Sequence, residues 1–289
     1  MRIAWIGAGK LGAPMARHVV AAGHDVALAD TDPARLALVP GARPARDAAG
    51  AADGAGLAVT SLPDDRALRA VVLEGGLLAR LRPGAVLVDT STVSPQACEA
   101  VRREAEARGV LYLAAPVSGS TATAEAAALT LLASGPAAAL EQARPALATF
   151  ARAIHHVGEG AEARYLKLAV NHFVGSTAQV AAEALTLARR GGVAWDTILD
   201  VLGSSAAASP LIAYKLDPLR RRDFAPAFSV AQMRKDMSLC VAAGEAVGVA
   251  MPVADLVRAA YARQEADLGA LDFFAAVLEA ERGAGLGEP

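Results

Sequence analysis

The chain carries near its N-terminus the stretch Arg2-Ile3-Ala4-Trp5-Ile6-Gly7-Ala8-Gly9-Lys10-Leu11-Gly12. The first five residues of this stretch form a short apolar run that is typical of a buried strand, and the last six match Gly-x-Gly-x-x-Gly. The segment 11–22 is rich in Ala, Met and Val, and it predicts a helix that ends at Gly23. A glycine-rich turn between a buried strand and a helix predicts the first βα unit of a dinucleotide-binding sheet.

The alternation of strand and helix patterns continues to about residue 160. Further strands are predicted at residues 25–29, 56–60, 85–89, 110–114, 129–133 and 153–157. Strands separated by helical segments are typical of βαβ units and a parallel sheet. We therefore expect residues 1–160 to form an α/β, Rossmann-type dinucleotide-binding domain with a mostly parallel sheet.

The pattern changes after Gly160. Residues 162–190 lack proline and are mostly good helix formers, so they predict one long helix. Residues 195–282 predict further helices, with breaks at Ser209-Pro210, Asp217-Pro218, Ala225-Pro226 and Met251-Pro252. We expect residues 161–289 to form an all-α substrate and oligomerisation domain joined to the first through the long helix. Its Ala- and Val-rich faces predict contact with a second copy, hence a homodimer or homotetramer.

Composition excludes several classes of protein. The chain has 289 residues, of which 54% are hydrophobic and 20% charged, so it is not disordered, and its net charge of −2 gives no attraction to nucleic acid or anionic membranes. No apolar run is long enough to span a membrane. The two cysteines are isolated and the five histidines show no metal spacing, so we expect a cytoplasmic protein without a metal site. Only four of the 28 basic residues are lysines.

The glycine-rich turn has the features needed to bind a pyrophosphate. Gly7 permits a tight turn, Gly9 permits close approach of the backbone to a phosphate, and Gly12 permits close packing of the helix. Asp30 follows the next predicted strand, where a carboxylate would accept hydrogen bonds from the ribose hydroxyls and repel a 2′-phosphate. We therefore predict NAD in preference to NADP, with NADP as the alternative. A second interpretation of Asp30 is that it caps a helix entered at Pro33.

The chain resembles the β-hydroxyacid dehydrogenase family, of the 3-hydroxyisobutyrate dehydrogenase-like type within the 6-phosphogluconate dehydrogenase NAD-binding superfamily. Five segments carry the resemblance and stand in the family's order: Ile6–Ala16 with Ala22–His24, Asp89–Pro95, Ala115–Gly119, Lys167–Asn171 and Lys235–Met237. The resemblance implies hydride transfer between a nicotinamide cofactor and a small 3-hydroxy acid or its semialdehyde.

The resemblance assigns Lys167 as the catalytic residue. Lys167 and Asn171 are four residues apart, so they share one helix face, and Gly175 continues that face and leaves room for a bulky group. The ammonium of Lys167 would donate a proton to the developing alkoxide, and its amine would remove the proton in oxidation. Asn171 would bind the substrate, whose carboxylate Ser118 and Gly119 would hold. The alternative for Lys167 is that its side chain extends along the helix to reach solvent. The alternative for Ser118 and Gly119 is that they form an ordinary turn.

The resemblance also implies contacts with the cofactor. Thr92 would lie on the nicotinamide side, although it could instead cap the helix near Ser94-Pro95. Leu62 and Pro63 would pack near the cofactor, and Lys235 would reach it unless it belongs to a solvated charge cluster. The full set of predicted cofactor-binding residues is Gly7, Ala8, Gly9, Lys10, Leu11, Gly12, Asp30, Leu62, Pro63, Thr92 and Lys235.

The sequence departs from the family after Gly119, where Ser120, Thr123 and Ala127 replace three usual glycines. We expect these side chains to make the substrate pocket smaller or more polar. Two other functions share the fold: an imine reductase, which usually has Asp or Tyr at the position of Lys167, and a non-catalytic cofactor-binding scaffold.

Overall fold

The first part of the structure is built on one nine-stranded, mainly parallel sheet. A computed structural model describes residues 1–287, which divide into a first compact unit, Met1–Lys167, and a second that begins at Leu168. The strands are β1 (Arg2–Ile6), β2 (Asp25–Ala29), β3 (Arg43–Pro44), β4 (Leu57–Thr60), β5 (Val86–Asp89), β6 (Leu111–Ala114), β7 (Val117–Ser118), β8 (Leu129–Ser134) and β9 (Ala151–Gly158). Their order is β3-β2-β1-β4-β5-β6-β8-β7, with β9 also paired to β8. The expected Rossmann-type sheet is confirmed.

Neighbouring parallel strands end side by side at one edge of this sheet. Ile6 at the end of β1 pairs with Ala29 of β2 and with Thr60 of β4, and Thr60 pairs with Asp89 of β5. The strand order reverses at β1, which is the point where open α/β sheets bind their ligands. The turns that follow these four strands therefore share the edge at which a cofactor is expected.

Both faces of the parallel part of the sheet are buried. Along β1, Ile3 and Trp5 belong to one apolar cluster, whereas Ala4 and Ile6 belong to another. A strand that is covered on both faces has no solvent side, and this explains why residues 3–6 of β1 are all apolar.

Helices cover the sheet in the first unit. They are α1 (Gly12–Ala21), α2 (Ala48–Ala52), α3 (Asp65–Arg69), α4 (Leu77–Arg80), α5 (Pro95–Ala107), α6 (Thr121–Glu125) and α7 (Ala137–Leu147), with a 3₁₀ turn at Pro33–Leu38 and a π turn at Ala70–Glu74. Ser94 caps α5 by accepting a hydrogen bond from the amide of Ala97, so the alternative role of Thr92 as this cap is wrong.

The second unit is helical. The long helix α8 (Glu162–Arg190) has the predicted bounds and runs into this unit, where it is followed by α9 (Trp195–Ser204), α10 (Pro210–Arg220), α11 (Val230–Ala246), α12 (Pro252–Leu268) and α13 (Ala276–Gly283), with a 3₁₀ turn at Phe273–Ala275. Within residues 1–287, no helix is long and apolar enough to cross a membrane.

One expectation about the elements is wrong, and two strands were not expected. Pro218 lies inside α10 and does not break it, and the helix continues only two residues beyond it, to Arg220. The strands β3 and β7 were not predicted. Each has only two residues, so neither can show the alternation of apolar and polar residues that identifies a strand.

The end of α6 is a Schellman motif in which alanine takes the usual place of glycine. The amide of Ala128 donates to the carbonyl of Thr123, the amide of Ala127 donates to that of Ala124, and Ala127 has a φ of 52°. This left-handed conformation is strained for a residue with a Cβ. Ala127 is one of the three positions where the family usually has glycine.

We expect the substitution Ala127→Gly to raise the free energy of unfolding by about 0.5–1 kcal/mol, because glycine removes the strain at positive φ. Urea unfolding followed by circular dichroism measures the change. The control is Ala126→Gly, at the neighbouring position with a φ of −82°, where no gain is expected. Equal effects of the two substitutions would show that Ala127 is not strained.

Candidate active site

The glycine turn is shaped by close contacts of its backbone, both with itself and with the turn after β4. Gly7 has a φ of 98°, and a Cβ placed on it would lie 2.2 Å from the carbonyl oxygen of Ser61. A Cβ on Gly12 would lie 2.2 Å from the carbonyl oxygen of Gly7. Gly9 differs, because no atom of the described chain lies within 4 Å of the Cβ it would carry. Gly7 and Gly12 are therefore needed for the fold of the turn, whereas Gly9 leaves space above it.

Asp30, which directly follows β2, contacts the backbone of the glycine turn. Its Oδ2 accepts a hydrogen bond of 2.7 Å from the amide of Ala8, and its Oδ1 accepts one of 2.9 Å from the amide of Asp32. Arg35 lies 3.9 Å from the same carboxylate. The 3₁₀ turn that begins at Pro33 is capped by Asp32, whose side chain accepts from the amide of Ala34 at 3.0 Å. The interpretation of Asp30 as this cap is wrong.

The turns after β4 and β5 are tied to each other. The amide of Leu62 donates to Oγ of Ser91 at 2.9 Å, and this hydroxyl donates to Oδ1 of Asp89 at 2.5 Å. Pro63 is exposed and Thr92 is partly exposed, each beside these bonded residues. The structure thus brings Leu62, Pro63 and Thr92 to the edge of the sheet that also carries the glycine turn.

Ser118 is the last residue of β7, and Gly119 begins the turn between β7 and α6. Gly119 has a φ of 146°, and a Cβ on it would lie 2.4 Å from Oγ1 of Thr123. The hydroxyls of Ser120 and Thr123 form a reciprocal capping box for α6, in which the amide of Ser120 donates to Thr123 at 2.7 Å. These two replacements of glycine therefore serve the start of a helix.

The same turn is connected to the glycine turn through two helices. On α1, Arg17 donates to the carboxylate of Glu125 at 2.5 Å. The ring Nε2 of His18 lies 3.0 Å from the carbonyl oxygen of Ala124. Since α1 follows the glycine turn and α6 follows Ser118 and Gly119, the structure fixes these two predicted binding turns relative to each other.

One face of α8 buries the predicted catalytic lysine. Lys167 is 9% exposed and Asn171 is 6% exposed, four residues apart on the same face. At the next position of that face, a Cβ on Gly175 would lie 2.8 Å from the sulfur of Met233 and 3.0 Å from that of Met237. The bulky group that Gly175 admits is thus a pair of methionines from α11.

Asn171 is held by a carboxylate from α11. Its Nδ2 donates to Oδ2 of Asp236 at 2.5 Å, and Nζ of Lys235 lies 2.9 Å from the other oxygen of that carboxylate. Asp236 is 1% exposed, whereas the side chains of Arg234 and Lys235 are 40% and 28% exposed, so only the carboxylate of the segment 234–236 is shielded from solvent. The sequence alone indicated no role for Asp236. Its adjacency to Lys235 was the available signal, but the contact with Asn171 joins residues 65 positions apart.

A buried arginine–carboxylate group lies at the first turn of α8, and the sequence did not predict it. Arg164 is 1% exposed and its Nη2 donates to Asp89 Oδ2 at 2.6 Å and to the hydroxyl oxygen of Tyr112 at 3.1 Å. Thr60 also donates to Asp89, at 2.8 Å. A signal existed, since Asp89 ends an otherwise apolar strand and Arg164 precedes Lys167 by one helical turn.

The ionisation of this group is fixed by its surroundings. Burial raises the pKa of the Tyr112 phenol well above its usual range, so the oxygen that accepts from Arg164 keeps its proton. Burial by itself would lower the pKa of the Arg164 guanidinium, but Tyr112 and Asp89 raise that pKa above its usual value. The group therefore holds one permanent positive charge against the carboxylate of Asp89.

Comparisons with known proteins agree with this geometry. Residues 2–158 match the family model for the NAD binding domain of 6-phosphogluconate dehydrogenase, and residues 161–280 match the model described as the NAD-binding of NADP-dependent 3-hydroxyisobutyrate dehydrogenase. The chain is 32% identical to a 3-hydroxyisobutyrate dehydrogenase of Pseudomonas aeruginosa, covering 94% of this chain and 95% of the relative. It is 31% identical to a 2-(hydroxymethyl)glutarate dehydrogenase of Eubacterium barkeri, covering 88% and 85%.

A solved structure shows the same fold. The 3-hydroxyisobutyrate dehydrogenase of Mycobacterium tuberculosis, solved with L-serine, has a TM-score of 0.87 and 31% identity, and the match covers 96% of this chain and 98% of the other. This match extends over nearly all of both chains, as does the match to the relative from Pseudomonas aeruginosa. The chain therefore belongs to the β-hydroxyacid dehydrogenase family.

Proposed function

We propose that this chain transfers a hydride between a nicotinamide cofactor and a small 3-hydroxy acid or its semialdehyde, with Lys167 as the general acid and base. The observation that carries the proposal is the burial of Lys167, one turn from the buried Asn171, in the helix segment that matches the family. A lysine shielded from water in this way is suited to exchange a proton with a reacting oxygen. The two relatives described above are both named dehydrogenases, and their names support the same class of reaction.

The residues of the first unit fit a dinucleotide. The open space above Gly9 suits a pyrophosphate, and within residues 1–287 no side chain caps the start of α1. We propose that the cofactor is held by the glycine turn, by Asp30, by the turns at Leu62 and Pro63 and at Thr92, and by Lys10, Leu11 and Lys235. When bound, it supplies or accepts the hydride.

Membership of the family supports a nicotinamide cofactor, either NAD or NADP. We propose that NAD is the preferred form. The carboxylate of Asp30 is nearly buried and already accepts two amide hydrogen bonds, so it stays in place to accept from a ribose hydroxyl and to repel a 2′-phosphate. We expect NADH to bind at least tenfold more tightly than NADPH, a difference of about 1.4 kcal/mol.

Fluorescence titrations with the two reduced cofactors measure this preference. The substitution Asp30→Asn is expected to reduce the ratio of the Kd for NADPH to the Kd for NADH. The control Asp32→Asn, which removes the carboxylate that caps the 3₁₀ turn, is expected to leave this ratio unchanged. Tighter binding of NADPH by the unmodified protein would contradict the role that we give to Asp30.

The protein's own part in the reaction is proton transfer and orientation. In reduction, the ammonium of Lys167 donates a proton to the alkoxide that develops from the carbonyl oxygen. In oxidation, its neutral amine removes the hydroxyl proton. Asp236 holds the amide of Asn171 in one plane, and we propose that Asn171, Ser118 and Gly119 bind and orient the substrate, including its carboxylate.

The substrate class follows from a shared feature of three compounds in the relatives' descriptions. 3-Hydroxyisobutyrate, 2-(hydroxymethyl)glutarate and L-serine each carry a hydroxymethyl group on the carbon next to a carboxylate. We propose that this chain oxidises such a group. A panel of these acids, succinic semialdehyde, glyoxylate and a cyclic imine, assayed by the absorbance of NADH, tests the proposal. Turnover of the imine alone would favour an imine reductase, and no turnover would favour a binding scaffold.

We propose that the protein is a homodimer or homotetramer. On α8, Phe173, Val180 and Leu187 are 77%, 64% and 75% exposed and are spaced by seven residues, so they form one apolar stripe. Light scattering is expected to give two or four times the chain mass of 29.3 kDa. The substitution Phe173→Asp is expected to reduce that mass, because it puts a charge into the contact. A monomeric unmodified protein would contradict this proposal.

We also propose a cytoplasmic location. The cysteines Cys98 and Cys240 are both free and buried, as expected for a protein of a reducing compartment.

A further inference from the structure

We propose that Arg164 is a positioning residue for proton transfer, and that it holds the turn of α8 that carries Lys167 against the segment that carries Thr92. This inference rests on the proposed function, because it concerns the placement of the same lysine. Arg164 and Lys167 are three residues apart and therefore lie on neighbouring positions of one helix face. The contacts of the Arg164 side chain therefore anchor the helical turn from which Lys167 extends.

The contacts of Arg164 are with the end of β5. Its Nη2 donates to the carboxylate of Asp89 at 2.6 Å and to the backbone carbonyl of the same residue at 3.1 Å. Its Nη1 donates to the backbone carbonyl of Ser91. These two carbonyls lie on either side of Thr90, and Thr92 is the next residue after Ser91. The guanidinium thus donates to two backbone carbonyls immediately before Thr92, the residue predicted to lie on the nicotinamide side of the cofactor.

The carboxylate that Arg164 contacts is itself held on several sides. Asp89 accepts from the hydroxyl of Thr60 at 2.8 Å, from the hydroxyl of Ser91 at 2.5 Å and from the amide of Ser91 at 3.1 Å. Tyr112 of β6 accepts from the guanidinium at 3.1 Å. The arginine therefore connects α8 directly to β5 and β6, and through Asp89 it is linked to β4.

The need to fill buried space does not by itself explain why an ion pair of Arg164 and Asp89 lies at this position. Arg164 and Asp89 are both at most 1% exposed, and a buried ion pair is often replaced by apolar side chains without loss of stability. What the arginine adds is geometry, because its planar group donates several hydrogen bonds in fixed directions. A methionine could fill the volume, but it could not define the distance between α8 and the two carbonyls.

The test compares two arginines of the same helix. Arg189 is also largely buried and pairs with Glu281 at 2.8 Å, but it lies 22 residues beyond Lys167, about 33 Å along the helix. The variants are Arg164→Met, Arg164→Lys and the control Arg189→Met. For each we measure the melting temperature, the Kd for NADH, and kcat and KM for the best substrate.

We expect Arg164→Met to lower kcat about 100-fold, since a displacement of about 1 Å can have that effect, while the Kd for NADH changes less than threefold. Arg164→Lys is expected to recover part of kcat. Arg189→Met is expected to lower the melting temperature but to leave kcat within twofold. Equal losses of kcat in Arg164→Met and Arg189→Met, or no loss in either variant of Arg164, would overturn the proposal. If Arg164→Met does not fold, the test compares the kcat of Arg164→Lys with that of Arg189→Met. A kcat of Arg164→Lys that is no lower than that of Arg189→Met would then overturn the proposal.

A second readout does not depend on turnover. The chain has only four lysines, so acylation of Lys167 by acetic anhydride can be followed by mass spectrometry of its own peptide. We expect NADH to slow this acylation in the unmodified protein and in Arg189→Met, but much less in Arg164→Met. Unchanged protection in Arg164→Met would overturn the positioning role. Absence of turnover in the unmodified protein, by contrast, would overturn the proposed function and leave this measurement interpretable.

Discussion

The substitution Lys167→Met is expected to lower kcat about 10³-fold in both directions of the reaction, because proton transfer by a positioned side chain contributes factors of 10² to 10⁴. Methionine is close to lysine in length and keeps the apolar part of the contact in this buried position, where the lysine is 9% exposed. The loss should therefore reflect the missing amine and not a cavity. Stopped-flow and steady-state measurements of NADH absorbance give kcat in each direction.

Two further measurements separate chemistry from binding. The Kd of Lys167→Met for NADH is expected to remain within about threefold of the unmodified protein, since the pyrophosphate and ribose contacts do not involve this residue. The variant Lys167→Arg keeps a positive charge but does not release its proton in proteins. It is expected to lose oxidation as completely as Lys167→Met. Turnover near the normal rate in either variant would remove Lys167 from the mechanism.

The substitutions Gly9→Ala and Gly12→Ala are both expected to weaken cofactor binding, but only Gly12→Ala is expected to lower the stability of the protein. A Cβ on Gly12 would lie 2.2 Å from a backbone carbonyl oxygen, so the turn must move away from α1. We expect this overpacking to cost about 1–3 kcal/mol of unfolding free energy and to weaken NADH binding at least 100-fold. The melting temperature and a fluorescence titration measure the two effects.

Gly9→Ala tests the space reserved for the phosphates. Within the described chain no atom lies within 4 Å of the added Cβ, so the melting temperature should not fall. NADH binding should nevertheless weaken at least tenfold, because the methyl group occupies the space into which a pyrophosphate must fit. Normal binding by a stable Gly9→Ala protein would show that the phosphates do not approach the backbone at this residue.

Much of the fold followed from local patterns. The apolar run before Gly7 predicted a buried strand, and the run without proline predicted α8 with its observed bounds, Glu162–Arg190. Both features are long or regular enough for periodicity and breakers to identify them. The two-residue strands β3 and β7 and the proline inside α10 were missed, because neighbouring segments and not local propensity determine them.

The candidate site divides in the same way. The sequence was sufficient to predict the glycine spacing, the position of Asp30 and the pair Lys167 and Asn171, because each lies within one element or across one βα turn. It was not sufficient to predict the partners of these residues. Asp236 contacts Asn171 across 65 positions, and Arg164 contacts Asp89 across 75.

Short-range sequence order was thus sufficient to predict the elements and the residues with chemical capacity, since hydrophobic period, glycine spacing and capping act within a few residues. Three-dimensional packing was needed to establish which charges are buried together and which amides are already bonded. The reason is physical: desolvation and hydrogen-bond geometry depend on groups that approach from distant parts of the chain, and these are the properties that hold Asn171 and the first turn of α8 in place.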